Sequence, residues 1–225
     1  MYPPEPWHLR GQMYVSLFVV PRRVLPPLPE PLAATVRPVL IGGRALVGAA
    51  WVRYEPGGVL QYRELLCAML VHERGRPRVS ITDIWVDSVA SRDGGRALWG
   101  IPKGLAEFEL SPQGDGGTLA GAVSPPSAGQ AGSDPIATAT ITRGLPVPGR
   151  WPGAVSVAQA LDGRVKRTGV HGRAGLRLGR AAWRVEPAGP LGFLAGRRPL
   201  LTVTLADFQL SFGGARPGDT APIGR

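Results

Sequence analysis

The sequence is poor in several residue types that mark common protein classes. It has one cysteine in 225 residues, which excludes an internal disulfide, and it has no C-x-x-C or Cys/His cluster that would predict a structural zinc. Only 19% of the residues are charged, yet no apolar run approaches the roughly 20 residues that a membrane-spanning helix needs. The N-terminal residues lack the basic and apolar regions of a signal peptide. We therefore expect a soluble, cytoplasmic protein with no membrane partner.

Lysine is also scarce. All basic residues except Lys103 and Lys166 are arginine, and the net charge is +10. Such a charge suggests nucleic acid as a partner, but the arginines are scattered. The densest basic stretch, Arg164 to Arg184, contains a single aromatic residue, Trp183, whereas RNA-binding surfaces stack bases on several exposed aromatics. We interpret the charge as a solvated surface, or one that meets small anions, and expect no nucleic-acid partner.

The motifs of several enzyme classes are absent as well. Neither lysine follows a glycine in the P-loop pattern, no serine occupies the G-x-S-x-G nucleophile elbow, and H-E-x-x-H does not occur. The three histidines, His8, His72 and His171, are far apart in the sequence. Cys67 and His72 could form a thiol and base pair, but a buried cysteine and a surface histidine are the simpler interpretation. We expect neither a metal nor a cofactor.

Glycine and proline are abundant: the chain has 32 Gly and 24 Pro, which interrupt long helices and argue against a helical bundle. Strand-sized apolar runs lie between these breaks. The predicted strands are Met13–Val20, Ala45–Tyr54, Leu60–Val71, Val79–Val86, Leu105–Leu110, Thr118–Val123, Ile136–Thr142, Gly175–Val185 and Leu200–Phe212. The sequence thus predicts a mainly β protein: one domain over residues 1–212, with antiparallel strands curved into a barrel and few short helices. Loops are expected at Ser124–Pro135 and Pro146–Gly153, and a disordered tail at 213–225.

One helix is well marked in the sequence. Asp87 or Ser88 can cap its start and Gly100 can end it, so that the chain leaves the helix into Ile101-Pro102-Lys103. A lysine kept here, in a chain that otherwise uses arginine, suggests chemistry that arginine cannot perform. The amine of lysine can lose its proton and attack a carbonyl, whereas the guanidinium group cannot.

The segment Gly95–Lys103 resembles the Gly-Arg-Glu-Leu-x-x-x-Pro-Lys-Lys segment of the acetoacetate decarboxylase family. His8-Leu9-Arg10, Pro29-Glu30-Pro31-Leu32 and Tyr62-Arg63-Glu64 are similar to further landmarks of that family and follow in the same order. The resemblance covers about residues 2 to 108. It implies a cone-shaped β-barrel, a homo-oligomer, and Lys103 as the lysine that forms a Schiff base with the substrate.

The sequence departs from the family pattern at three charged positions. Gly104 stands where the decarboxylases have a second lysine, and Ala97 replaces the glutamate after the Gly-Arg pair. A further carboxylate of the family falls near Ala49. Because the second lysine is an activating neighbour in such enzymes, we expect a substrate other than acetoacetate itself.

A lysine with a pKa of about 10.4 is almost fully protonated at pH 7, so a nucleophilic lysine needs a pKa lower by about 2 to 3. Without the second lysine, burial beside Trp99, Ile101 and Leu105 is the expected cause. Like-charge repulsion from Arg96 or Arg10 would act in the same direction.

Three residues are therefore candidates for the site. Lys103 would form the imine, Glu64 would shuttle protons, and Arg10 would hold the carboxylate of the substrate. We expect a Schiff-base-forming lyase that acts on a small keto acid, as an acetoacetate decarboxylase does. Two alternatives stay open: an aldolase- or dehydratase-type lyase on the same scaffold, and a non-catalytic binder of an acidic carbonyl metabolite.

Overall fold

The computed structural model describes residues 1–113, 118–126 and 134–214. It confirms the predicted mainly β, single-domain fold, because the strands of these residues form one twelve-stranded sheet. The strands are β1 (Trp7–Pro21), β2 (Arg37–Pro38), β3 (Leu40–Ile41), β4 (Arg44–Tyr54), β5 (Tyr62–Glu73), β6 (Arg76–Val86), β7 (Lys103–Leu105), β8 (Glu107–Gln113), β9 (Thr118–Ser124), β10 (Ala137–Leu161), β11 (Arg164–Val185) and β12 (Leu201–Phe212). The predicted tail lies outside the described residues from 215 onward.

Helices are short and few in the described part of the chain. They are α1 (Leu32–Thr35), α2 (Val89–Trp99) and two single 3-10 turns, Arg22–Val24 and Gly192–Leu194. None of these helices is long and apolar enough to cross a membrane.

The sheet curves into a ring. Its strand order is β7-β6-β5-β4-β1-β12-β11-β10-β9-β8, while β2 pairs with β5 and β3 with β4. Most neighbours are antiparallel, and a parallel bridge between Val157 of β10 and Val79 of β6 closes the strands from β6 to β10 into a ring. Such closure leaves fewer strand edges exposed to pairing with other chains.

Both faces of the sheet are buried in its central strands. Successive side chains of a strand point to opposite faces, so Leu65, Cys67 and Met69 of β5 pack into one apolar cluster, which we call the core face. Leu66 and Ala68 belong to a second cluster, on what we call the cavity face. Burial on both faces explains why β4 and β5 appear in the sequence as continuous apolar runs.

One predicted loop is wrong. Residues 146–153 are part of β10, which pairs with β11 along a long hairpin. Register shifts between Arg143 and Pro146, and between Val147 and Arg150, accommodate the prolines. In the described residues β9 pairs with β10 only up to Thr142, so this stretch is an edge, where proline is tolerated. Of the other predicted loop, residues 127–133 lie outside the described ranges.

Candidate functional site

Helix α2 and the turn after it place Lys103 in the fold. As predicted, Ser88 caps the helix, since its side chain accepts a hydrogen bond from the backbone N–H of Ser91 (3.2 Å). Gly100 ends the helix with a left-handed φ of 67°. A Cβ there would lie 2.1 Å from the carbonyl oxygen of Ala160, so the position also needs glycine for space. The chain then enters β7, where Lys103 pairs with Ile84 of β6.

The Gly95-Arg96 pair of the motif has a direct structural role at Lys103. A Cβ on Gly95 would lie 2.8 Å from the Cδ of Lys103, so the lysine side chain passes through the space that glycine leaves. Glycine inside a helix costs about 1 kcal/mol relative to alanine. The side chain of Arg96 donates a hydrogen bond from Nε to the carbonyl oxygen of Lys103 (2.7 Å). The pair therefore positions both the backbone and the side chain of the lysine.

The amine of Lys103 lies among three oxygen atoms in the interior. Its Nζ is 2.8 Å from Oε2 of Glu64, 2.9 Å from Oγ of Ser91 and 3.4 Å from the hydroxyl of Tyr62. Lys103 is 4% exposed and Glu64 is 2% exposed. The structure thus brings together two of the three candidate residues as a buried ion pair.

Two stacked tyrosines complete the polar cluster. The hydroxyl of Tyr54 donates to Oε1 of Glu64 (3.1 Å), and the rings of Tyr54 and Tyr62 stack with centroids 4.2 Å apart. The β4–β5 hairpin makes the two tyrosines direct partners, and Tyr62 shares the face of Glu64 because the two residues are two apart on β5. Sequence reasoning missed Tyr54 and Ser91, although the predicted hairpin turn could have located Tyr54.

The groups around the amine favour the protonated form of Lys103. Burial lowers the pKa of Lys103, but the carboxylate of Glu64 and the hydroxyl of Tyr62 raise it, and the result is above the ordinary value. The expected depression of the lysine pKa is therefore wrong, because the prediction omitted the ion pair with Glu64. Burial, opposed in part by Lys103, raises the pKa of Tyr62 to about 12, and burial raises that of Tyr54. Both phenols remain protonated donors at neutral pH.

The polar cluster is at the end of an apolar cavity of about 170 Å³. Its only ionisable lining residues are Lys103, Glu64, Tyr54 and Tyr62 among the residues that the structure describes. The apolar wall comes from β1, β5, β6, β10, β11, β12 and the α2 region: Trp7, Leu9, Met13, Leu66, Ala68, Val79, Ile81, Ile84, Trp99, Ile101, Val155, Val157, Val170, Leu210 and Phe212. Water-poor surroundings of this kind strengthen electrostatic interactions at the amine.

A second apolar cavity of about 400 Å³ adjoins the first. The two cavities share Met13, Val155, Val170 and Leu210 as lining residues. The second cavity reaches Trp151, which is 50% exposed. The pair of cavities therefore provides space that extends from the surface toward Lys103.

The structure does not bring Arg10 to Lys103. Leu9 of β1 faces the cavity, so Arg10, the next residue, points to the opposite side of the sheet and is exposed. Its side chain rests beside Gly57 in the turn after β4, within 3.1 Å of where a Cβ would be. The expectation that Arg10 shares a pocket with Lys103 is corrected by this alternation.

The three departures from the family pattern also lie outside the cavity lining. Ala49 is fully buried on the core face, and Ala97 is exposed on α2. Gly104 packs against Trp85, whose side chain contacts the core face.

Cys67 and His72 do not form a site together. They are five positions apart on β5, an odd number, so they face opposite sides of the sheet. Cys67 is fully buried, as predicted, and burial raises the pKa of its thiol. Within the described ranges, no group of three or more His, Cys, Asp or Glu residues is arranged to hold a metal ion.

Comparison with known proteins gives a family and a fold. The model of the acetoacetate decarboxylase family matches residues 2–157, whereas no curated protein matches the sequence. The enduracididine biosynthesis enzyme MppR complexed with pyruvate is similar in structure, with a TM-score of 0.65 and 21% identity over 96% of this chain and 91% of that chain.

Two further solved structures are similar over nearly the whole chain. An acetoacetate decarboxylase from Legionella pneumophila has a TM-score of 0.61 and 18% identity, over 94% of this chain and 85% of its own. MppR complexed with the condensation product of pyruvate and imidazole 4-carboxaldehyde has a TM-score of 0.60 and 19% identity, over 95% and 89%. At these identities the similarity shows the fold alone.

Proposed function

The chain belongs to the acetoacetate decarboxylase family, and from this premise we propose that it is a lyase that forms a Schiff base between Lys103 and a small keto acid and then releases CO2. The observation that carries the proposal is the buried pair of Lys103 and Glu64, with 2.8 Å between Nζ and Oε2, at the end of an apolar cavity. Arginine takes nearly every other cationic position of this chain, so the lysine here is unusual. A buried amine with an adjacent proton acceptor is what imine formation requires.

The first step is removal of the proton that Lys103 carries in its ion pair with Glu64. Glu64 is in hydrogen-bond contact and can accept this proton. The transfer converts two buried charges into a neutral amine and a neutral acid; burial favours this neutral pair, whereas the attraction between the two charges opposes it. Tyr54 and Ser91 hold the carboxyl group and the amine in place during the transfer.

The neutral amine attacks the carbonyl carbon of the keto acid, and Glu64 gives its proton to the departing hydroxyl group, so that water leaves and a protonated imine remains. In a decarboxylation the bond to the carboxylate breaks, its electron pair moves into the iminium to give an enamine, and CO2 leaves. Glu64, again a carboxylate, then takes a proton from water and passes it to the enamine carbon. Hydrolysis of the new imine then frees the product ketone and the lysine.

The apolar wall favours the loss of CO2. Among the described residues that line the cavity, Lys103 is the only cation that could pair with the carboxylate of a substrate. A carboxylate held without a counter-ion in an apolar site is destabilised, and its charge disperses as CO2 leaves. This is an interaction that differs between ground state and transition state, as catalysis requires.

The adjoining cavity of about 400 Å³ supports a second candidate, an aldolase- or dehydratase-type lyase. The enamine formed at Lys103 by loss of an α-proton would attack a second carbonyl compound held in that cavity. In a similar structure, MppR is complexed with a condensation product of pyruvate and an aldehyde. Product analysis separates the two reactions, since only the first releases CO2 from the keto acid alone.

The test is reduction with borohydride in the presence of a panel of keto acids, read by mass spectrometry. Only an imine becomes a covalent adduct, and we expect it on the peptide that contains Lys103. Lys103→Arg keeps the charge but removes the deprotonable amine, so labelling and turnover should fall at least about 1,000-fold. Lys166→Arg is the matched control, because Lys166 pairs with Glu5 at the surface at 3.6 Å.

The outcomes of this test are distinct. Labelling of the Lys103→Arg protein at the wild-type level would contradict the assignment of the lysine. Binding of keto acids to the wild-type protein without any reducible adduct would overturn the enzyme proposal and favour a non-catalytic binder of an acidic carbonyl metabolite.

We further propose, from the sequence, a cytoplasmic homo-oligomer whose folded domain spans residues 1–212. Similarity to the family implies the oligomer, and light scattering of the purified protein measures it. A monomer at micromolar concentration would contradict it.

A further inference from the structure

A second group of functional side chains lies on the opposite face of the strands that carry the cavity. Residues of the neighbouring strands β1, β12 and β11 lie side by side in two rows that run across the sheet. The two rows are two residues apart along each strand. The first row is His8, Ser211 and His171, and the second is Arg10, Gln209 and Arg173. Because the rows are two residues apart on each strand, all six side chains share one face.

The basic side chains of these rows have no partners in the described part of the chain. Arg10, Arg173, His8 and His171 make no side-chain hydrogen bond and no ion pair there. Other arginines of the protein are neutralised, as Arg167 is by Glu73. An unpaired cluster of guanidinium and imidazole groups produces a positive potential that attracts anions.

The shape around this cluster suits a small ligand. The side chains line an open groove of about 880 Å³, to which β10 contributes Pro152, Gly153 and Ala154, and no described lining residue is Asp or Glu. Gly57, Gly153 and Gly172 lie in its wall. Since glycine has no side chain, a ligand can approach the backbone closely at these positions.

We propose that this groove binds a small multivalent oxyanion, a phosphorylated or polycarboxylate metabolite, with Arg10 and Arg173 as its principal contacts. Planar guanidinium groups bind carboxylate and phosphate oxygens with two parallel hydrogen bonds. The groove shares lining residues with the second cavity, among them His171, Arg173 and Gln209, but Arg10 and Arg173 do not line the cavity at Lys103. Anion binding here does not require imine formation at Lys103, so the two proposals can fail separately. Nucleic acid is disfavoured because the described lining contains no Phe, Tyr or Trp on which bases could stack.

The test is isothermal titration of the purified protein with pyrophosphate and with citrate at low salt, with acetate as the monovalent reference. We expect saturable binding of one multivalent anion per chain. The double variant Arg10→Gln/Arg173→Gln should weaken it about 100-fold, which corresponds to about 2.7 kcal/mol. Tighter binding of pyrophosphate would support a phosphorylated ligand, and tighter binding of citrate a polycarboxylate.

A matched control is available on the same strand. Arg180→Gln/Arg184→Gln removes the same net charge from two exposed positions of β11 that do not line the groove, and it should change the affinity less than threefold. Lys103→Arg should bind the anions as the wild type does. An equal loss in both double variants would show a general charge effect and overturn the site, as would absence of binding at millimolar anion. Unchanged melting temperatures show that the variants are folded.

Discussion

Adjacent residues of β5 face two regions of the molecule that are built in opposite ways. On the core face, Leu65, Cys67 and Met69 are almost completely buried and belong to a closely packed apolar cluster with Trp51. On the cavity face, Glu64 lines the cavity and forms an ion pair with the amine of Lys103. One strand thus supplies the packed interior with its odd-numbered residues and the site with its even-numbered ones.

The two faces of the sheet differ in how much they contribute to the stability of the fold. Close packing on the core face gains both transfer free energy and dispersion contacts. The cavity face gives up part of that gain, because a cavity leaves its wall without contacts and a buried ion pair contributes little net stability. A functional site with buried charges is therefore tolerable where the other face of the same strands is well packed.

The largest expected effect comes from Glu64→Gln on the cavity face. The carboxylate is among the causes that raise the pKa of Lys103, whereas burial lowers it. With the carboxylate removed, we expect the pKa of Lys103 to fall, so that borohydride trapping of the imine reaches its plateau at a lower pH. Turnover should nevertheless drop about 100- to 10,000-fold, because the proton shuttle is lost.

In Glu64→Gln, trapping of the imine should reach its plateau at a lower pH while turnover falls. The combination of these two effects distinguishes a proton shuttle from a structural carboxylate. Labelling and turnover would be measured as a function of pH on the same preparations. A trapping profile that is unchanged, or displaced to higher pH, would contradict the assigned role of Glu64. Glu55→Gln is the control, since Glu55 pairs with Arg53 in an ion pair outside the cavity lining.

Alanine substitutions at two neighbouring leucines, one on each face, compare the contributions of the two faces to the free energy of unfolding. Leu65→Ala removes a fully buried side chain from the core face, and we expect it to lower the free energy of unfolding by about 2–5 kcal/mol. Leu66→Ala removes a partly buried side chain that already borders the cavity. Its cost should be less than half as large, because fewer contacts are lost.

Urea denaturation measures both variants on one scale. Equal costs at the two positions would show that the cavity face is packed as tightly as the core face, and the comparison would fail.

The sequence predicted most of the fold because strand-sized apolar runs and their turn residues are local signals. It also located Ser88, Gly100 and Lys103 around one helix. It could not place Arg10, because the predicted first strand begins at Met13 whereas β1 begins at Trp7, so the alternation that turns Arg10 away from the cavity was not part of the prediction. The sequence predicts a loop at Pro146–Gly153 because proline and glycine disfavour a strand locally, whereas pairing with β11 makes the segment part of β10.

The smallest effect is expected from Ser91→Ala at the end of the cavity. Ser91 is fully buried, and its hydroxyl is 2.9 Å from Nζ of Lys103. Alanine favours helix and keeps the backbone hydrogen bond to Ser88, so α2 should persist. The ammonium form loses one of its three oxygen neighbours, which disfavours protonation. We expect the trapping profile to move to lower pH by less than in Glu64→Gln, and the rate of imine formation to fall less than about tenfold. Stopped-flow measurement of trapping against pH checks both values. A loss as large as that of Lys103→Arg would mean that Ser91 takes part in the chemistry and does not merely orient the amine.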